Sequence, residues 1–426
     1  MARTTSCVLG VLLMPIAVQA QSAFVPLGEL GGDDAFSSAT GVSSFESAGG
    51  IADNLIVVGN SQSARGREAF RWTSSAGMVG LGSLGGTFFF SSAAGVDDAG
   101  EAVTGSTSSD VGILAYRWRE ASGMTSLGDL PGGPIQSEAS AISGDGMSIV
   151  GSSRSRTGPA GDEAFLWTSA SGMIGLGTLG TGQSSVANAI NADGTIIVGS
   201  SGLDPESQTP FRWTASGGME PLEQFPGEVL TSEPLGISAD GQTIVGWSAI
   251  GTSQVAVRWT DAGIESLGNP PPFEASRLFA QAANEDGSVI IGWGQAGTRL
   301  TAMYWTQDGG VRPLADVLTD DFGLDLSGWS LSVALDVTTH AATGRTAIVG
   351  SGLNPRGETE AFLAVLDPSP PCRVDIDGDG SLTIFDFLAF QTLFDARDPR
   401  ADFDDDGLFT VFDFLRFFDA FDDGCN

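Results

Sequence analysis

The chain has 426 residues, of which 52 are Asp or Glu and 19 are Lys or Arg, for a formal net charge of −33. Every basic residue is an arginine. A surface this acidic repels polyanions, which argues against nucleic acid and anionic lipid as partners. The 60 glycines, set among abundant Ser and Thr, predict many tight turns between short strands.

In chain order, residues 1–20 come first, with Arg3, an apolar run from Val8 to Val18 and the small residue Ala20. That pattern predicts a secretory signal peptide, and the run is too short to span a bilayer. No later stretch reaches about 18 uninterrupted apolar residues, so no transmembrane segment is expected and the mature chain is read as extracellular.

From residue 21 to 367 one unit of four phrases recurs. Its first phrase is a strand ending in a small-residue turn, as in Ser184 to Gly194; its second is a short apolar strand, as in Thr195 to Ser200. Its third is PFRWT, Pro210 to Thr214, and its fourth GMEPLEQF, Gly218 to Phe225. The second phrase recurs at Ile56, Ala102, Ile149, Ile196, Ile244, Val289 and Ala347. The third carries Trp72, Trp118, Trp167, Trp213, Trp259 and Trp305, and its last copy, AFLAV from Ala361, lacks the indole. Each phrase is strand-sized and bounded by Gly, Asp or Asn.

Four strands recurring about every 40–50 residues predict a β-propeller of seven four-stranded blades, an all-β fold. An open β-solenoid is the other fold considered. The Asp-Gly pairs at Asp145, Asp193, Asp240 and Asp286 are expected as hairpin turns, and the repeated indoles as packing between blades. The fourth phrase appears at Leu81, Leu127, Leu176, Leu222, Leu267 and Leu314, and once, early, at Leu27. The last unit runs instead from AFLAV into a linker. FVPLGEL, Phe24 to Leu30, is therefore expected to supply the missing strand and close the ring.

The run AFRWT, GM, LG and LGG followed by S-x-A and IVG resembles the HAF family of extracellular bacterial repeats over roughly Phe24 to Asp367. The resemblance implies export and repetition, and carries no chemistry.

A proline-rich linker, residues 368–371, precedes a C-terminal segment of different composition, residues 372–426. Asp375, Asp377, Asp379, Thr383 and Asp386 place side-chain oxygens at loop positions 1, 3, 5, 9 and 12, with Ser381 offering a carbonyl. Asp402, Asp404, Asp406, Thr410 and Asp413, with the Leu408 carbonyl, repeat that spacing. Hard oxygens so arranged wrap calcium at about 2.3–2.6 Å, so two calcium ions are expected, against the alternative of solvated acidic turns. The helices follow the loops, and Asp rather than Glu stands at position 12. In both respects the segment resembles a dockerin module, which implies an EF-hand-like helical domain docking onto a cohesin partner.

Positions 10 and 11, usually polar in dockerins, are Ile384, Phe385, Val411 and Phe412, so docking is expected on a protein partner that is either cohesin-like or of another kind. Cys372 and Cys425 bracket the segment and are expected to pair as a disulfide.

His340 is the sole histidine, and no nucleophile elbow or phosphate loop occurs, so the chain is read as non-catalytic. The residue after each IVG is small or polar in most units, but is Trp247 in the fifth and Trp293 in the sixth. Two indoles side by side on one rim would offer a platform to a glycan or an apolar partner, unless they simply fill a gap between loops. The function expected is a secreted binding or structural propeller with a calcium-dependent docking tail; the alternative is a polysaccharide-active protein of a carbohydrate-processing assembly.

Overall fold

The computed structural model describes residues 22–32, 34–45, 55–155, 161–180, 183–202, 208–225, 231–250, 253–273, 277–368, 374, 376, 383–404 and 407–423. The expected leader (residues 1–20), the centre of the linker, and Cys372, Asp375, Asp377, Asp379, Ser381, Asp406 and Cys425 lie outside the described residues. The chain forms two compact units, Met1–Leu366 and Asp367–Asn426.

The first unit is a seven-bladed β-propeller. Each blade is a four-stranded antiparallel sheet, and six of them are built from consecutive strands spanning residues 37–80, 91–128, 132–175, 184–221, 232–266 and 277–313. First strands of neighbouring blades touch one another all the way round, so they line the axis and the short fourth strands form the outside. The phrases fall on the strands as expected, except that the outermost strand is shorter: Gly218–Pro221 replaces the eight residues read from Gly218. The Asp-Gly turns are present, with φ of +67° at Gly146 and +73° at Gly194.

Blade seven takes its first three strands from Ser330–Thr339, Thr346–Leu353 and Thr359–Leu366, and its fourth from the other end of the unit, Ala23–Pro26. Phe24 lies opposite Ala364 and Val25 opposite Leu363. The closed propeller is thus the observed fold, and the solenoid is excluded.

A latch repeated between blades shows why the early phrase belongs there. Ser91 Oγ donates to Gly82 O at 2.6 Å and accepts Ala69 N–H at 3.0 Å, tying blade two to the third and fourth strands of blade one. Ser137 and Ser185 do the same at the next two junctions. At the closing junction Ser37 Oγ donates to Gly28 O at 2.6 Å and accepts Ala361 N–H at 2.9 Å. A glutamate adds a second tie: Glu68 accepts Gly82 N–H, Glu163 accepts Gly177 N–H, and Glu360 accepts Gly28 N–H at 3.1 Å. Gly28 therefore plays the part that Gly82 and Gly177 play within continuous blades.

The glycine of IVG has a steric cause. The first strand of every blade carries a bulge, as between Ala187 and Ala189, which presses its backbone onto the second strand. A Cβ built on Gly199 would overlap the Val186 carbonyl oxygen, and equivalent overlaps occur at the six matching glycines. The repeated indoles lie in clusters spanning two blades: Trp72 packs with Val349 and Leu363 of blade seven, and Arg117 sits 4.8 Å over the Trp167 ring of the next blade.

One element was not foreseen. A short helix α1, Leu314–Asp316, continues as a π-helical turn, Val317–Asp321, between blades six and seven, burying Leu314, Val317 and Leu318. The second unit contains helices α2, Ile384–Asp395, and α3, Val411–Asp423. Phe390 and Phe417, both fully buried, stack at 4.3 Å in its core.

Candidate functional site

Three constellations carry chemistry, and the first is the pair of loops in the second unit. Asp386 and Asp413, the expected position-12 residues, are both fully buried. Asp386 accepts N–H groups from Ile376 at 2.9 Å and Thr383 at 2.8 Å; Asp413 accepts them from Phe403 at 2.8 Å and Thr410 at 2.7 Å. The halves are therefore folded in the same register. Asp402 accepts Gly407 N–H at 2.8 Å, which turns the second loop back over its first carboxylate.

Asp402, Asp404 and Asp413 bring carboxylate oxygens within 4.8 Å of one another. An all-oxygen donor set of this kind suits a hard cation such as calcium and not a soft one. The hydroxyls of Thr383 and Thr410 accept the N–H of Phe385 at 3.1 Å and Phe412 at 3.2 Å, capping the helices that follow the loops. Leu408 is exposed and, with Thr410, belongs to the loop that carries the triad.

The second constellation is aromatic. Trp247 and Trp293 are half-buried and occupy the middle of the second strands, not a rim. They are not side by side: Phe279, cross-strand from Trp293, intervenes. It stacks on Trp293 at 4.2 Å and meets Trp247 edge-on at 5.9 Å. Trp247 Nε1 donates to Glu233 at 3.3 Å. Their place follows from the length of the second strands, which continue past IVG to Ile250 and Ala296 and set Trp247 opposite Glu233 and Trp293 opposite Phe279.

The third lies at one end of the axis. Turns after the first strands join edge to edge, Ser44 N–H to Asp98 O at 3.2 Å, Asp98 N–H to Gly144 O at 2.9 Å and Asp240 N–H to Glu285 O at 3.1 Å among them. Asp336 stands just inside this mouth, in the register position after the bulge, which is Gly41, Gly95, Ala141, Ala189, Gly236 or Ala282 in the other blades. Its carboxylate accepts N–H groups from Val42 and Val337, both at 2.9 Å. Protein atoms surround it although solvent reaches one side, and this burial pushes its carboxyl up to about 7, with Glu285 and Asp98 adding like charge. Burial also raises Glu285, against the hydroxyl of Thr338 that donates to it at 2.6 Å.

No family model matches the chain, and no curated protein matches it. Solved structures do. Oligogalacturonate lyase from Vibrio parahaemolyticus is 12% identical, with 82% of this chain and 97% of that one covered and a TM-score of 0.50. TolB from Acinetobacter baumannii is 12% identical over 78% of this chain and 80% of that one, at a TM-score of 0.40. A puromycin hydrolase mutant is 12% identical over 80% and 55%, at 0.48. Similarity at this level establishes the propeller fold alone.

Sequence reading missed the axial carboxylates. The available clue was positional: an Asp in the seventh unit where every other unit has Gly or Ala. Aligning the units on IVG hid it: Asp336 stands 14 residues before Gly350, whereas the equivalent residue stands 10 before its glycine in blades two to six, as Gly95 does before Gly105.

Proposed function

We propose that the chain is an exported, non-catalytic binding propeller held to a protein partner by a calcium-loaded tail. The tail is dockerin-like, and the repeats are of the HAF type. The observation that carries this reading is the duplicated closure of the two tail loops by Asp386 and Asp413, together with the Asp402, Asp404 and Asp413 cluster. Calcium would be held in the second loop by those three carboxylates and in the first by the matching residues of its repeat. It would neutralise carboxylates that otherwise repel at close range.

Duplication also supports a docking face. Ile384, Phe385, Leu388, Val411, Phe412 and Leu415 are all exposed, the last three repeating the first three. A charged surface covers so apolar a patch poorly, and a protein partner covers it well. Calorimetric titration of the chelator-stripped full chain should show two calcium equivalents, falling to one in Asp402→Ala. Phe385→Ser with Phe412→Ser should abolish partner capture while keeping both. Absence of calcium heat, with unaltered circular dichroism on chelation, refutes the reading.

A second reading, a polysaccharide-active propeller, is favoured by Asp336, whose carboxyl near 7 beside the raised Glu285 suits general-acid work. Turnover on a glycan panel, lost in Asp336→Asn, would establish it; retention without turnover supports the first.

A further inference from the structure

A cavity of about 320 Å³ opens at the junction of blades one and two, lined by Arg71, Trp118, Arg119, Glu101 and Glu120 among others. Its construction departs from the repeat in two ways. The residue after the repeated Trp is Thr73, Thr168, Thr214, Thr260 or Thr306 in five blades, and there its hydroxyl caps the turn to the fourth strand, as Thr73 does for Ala76 N–H at 3.1 Å. In blade two that residue is Arg119, and the side-chain cap is replaced by a backbone bond from Ser122 N–H. The blade exchanges a side-chain cap for a backbone bond, and the position carries a guanidinium at the cavity instead.

The second departure is an open stack. The repeat arginine of blades two and five covers the indole of the following blade, Arg117 at 4.8 Å from Trp167 and Arg258 at 4.5 Å from Trp305. At the first junction the corresponding pair, Arg71 and Trp118, lines open space. The Nε atoms of Arg71 and Arg119 are both buried without a hydrogen-bond partner, and among the described residues neither side chain makes a hydrogen bond. Buried guanidinium donors left unmet are rare, and both of these side chains line the one cavity. Asp97 feels the charge of Arg119, but its carboxylate is held by the N–H groups of Glu101 and Ala102.

We infer that this cavity binds the carboxylate of an acidic sugar, one uronate ring of a glycan. A planar carboxylate matches the fork of a guanidinium. Two exposed glutamates at the edge balance the two arginines, which favours a monoanion over a phosphate dianion, and their oxygens can accept from ring hydroxyls. The half-buried Trp118 offers an indole for the ring to lie on. The volume is at the small end for ligand sites, about 300–1,000 Å³, which suits one ring. The inference rests on reading the propeller as a binding module and is independent of the calcium tail.

Calorimetric titration of the calcium-loaded full chain with D-glucuronate, D-glucose, acetate and sulfate tests it. Glucuronate should bind one to one, glucose should give no heat, and acetate and sulfate should bind at least about tenfold more weakly. Arg119→Thr, which installs the residue of five other blades, should weaken glucuronate about 10- to 100-fold without lowering the melting temperature; Arg71→Met should do the same. Four results overturn the inference: no glucuronate binding; glucose binding as well as glucuronate; acetate or sulfate binding as well, meaning an adventitious ion only; or glucuronate binding unchanged in both variants. A neutral glycan retained equally by the parent and Arg119→Thr would leave the binding-module reading standing and remove this site from it.

Discussion

Removing the side chains by which Ala23–Pro26 and the turn after it close the ring should destabilise every blade, including those far from the closure. Leu27 is 5% exposed and packs in a cluster with Val57, Phe70, Val349 and Leu363. Phe24 belongs to a different cluster, 5.1 Å from the Trp329 ring and 5.6 Å from Phe362. Truncating a buried Leu to Ala costs about 2–5 kcal/mol, and a half-buried Phe about half the 3–5 kcal/mol of a buried one. Because the two sit in separate clusters, their costs should nearly add, to about 5 kcal/mol in Phe24→Ala with Leu27→Ala. At about 2 °C per kcal/mol for a unit of this size, the calorimetric transition should fall by about 10 °C and stay single.

Hydrogen exchange separates closure from fraying. The amide of Val198 in blade four, on the opposite side of the ring, should lose protection together with that of Ala364 in blade seven. Protection lost at Ala364 but unchanged at Val198, with the main transition unmoved, would refute the argument that the strand closes a cooperative ring.

Other outcomes follow from single sites. Gly199→Ala should destabilise the propeller by at least about 3 kcal/mol in urea titration, since its Cβ would overlap backbone that cannot retreat. Ser37→Ala should cost about 1–2 kcal/mol by leaving Ala361 N–H and Gly28 O without their shared hydroxyl, whereas the exposed Ser75→Ala should cost nothing measurable. Asp336 has a folded-state pKa raised by burial, so the native state holds a proton that the unfolded state releases; its contribution to stability is present near pH 4 and lost as pH rises towards 7. In Asp336→Asn the urea midpoint should therefore decline less between those values than in the parent, and equal slopes would show that the group does not titrate there. Asp413→Ala leaves Phe403 and Thr410 N–H groups buried without their acceptor and should unfold the second unit even with calcium, while the propeller transition stays in place.

The repeat made the fold legible because each phrase encodes one contact that every blade must make. The serine of S-x-A is the latch, the glycine of IVG meets the bulged strand, and the Asp-Gly turn needs a positive φ at Gly146 or Gly194. The tail was legible for the same reason, its two halves duplicating Asp386 as Asp413 and Phe390 as Phe417. What the phrases did not convey was depth. Trp247 and Trp293 were expected on a rim because the second strand was read as ending at IVG, whereas it runs on to Ile250 and Ala296. The helix at Leu314 was missed because its apolar residues follow the strand phrase without an intervening turn.

Departures from the repeat are where function can be sought, because a scaffold held by identical contacts has no structural need for them. Asp336 replaces Gly or Ala and introduces a carboxyl that burial disfavours; Arg119 replaces Thr and forfeits a turn cap. Neither change improves the propeller as a propeller. The Trp247, Phe279 and Trp293 row is different: its rings satisfy one another and a glutamate, so packing alone accounts for it. Of the exceptional positions, then, the aromatic row reads as scaffold, whereas the axial carboxylates and the arginine-lined cavity hold polar groups that the fold itself does not require. It follows that restoring the repeat residue is the informative substitution. Arg119→Thr should leave the ring's stability unchanged, so whatever activity it removes belongs to the ligand; Asp336→Ala also takes the acceptor from the Val42 and Val337 N–H groups, so its effect on activity is read beside its urea midpoint.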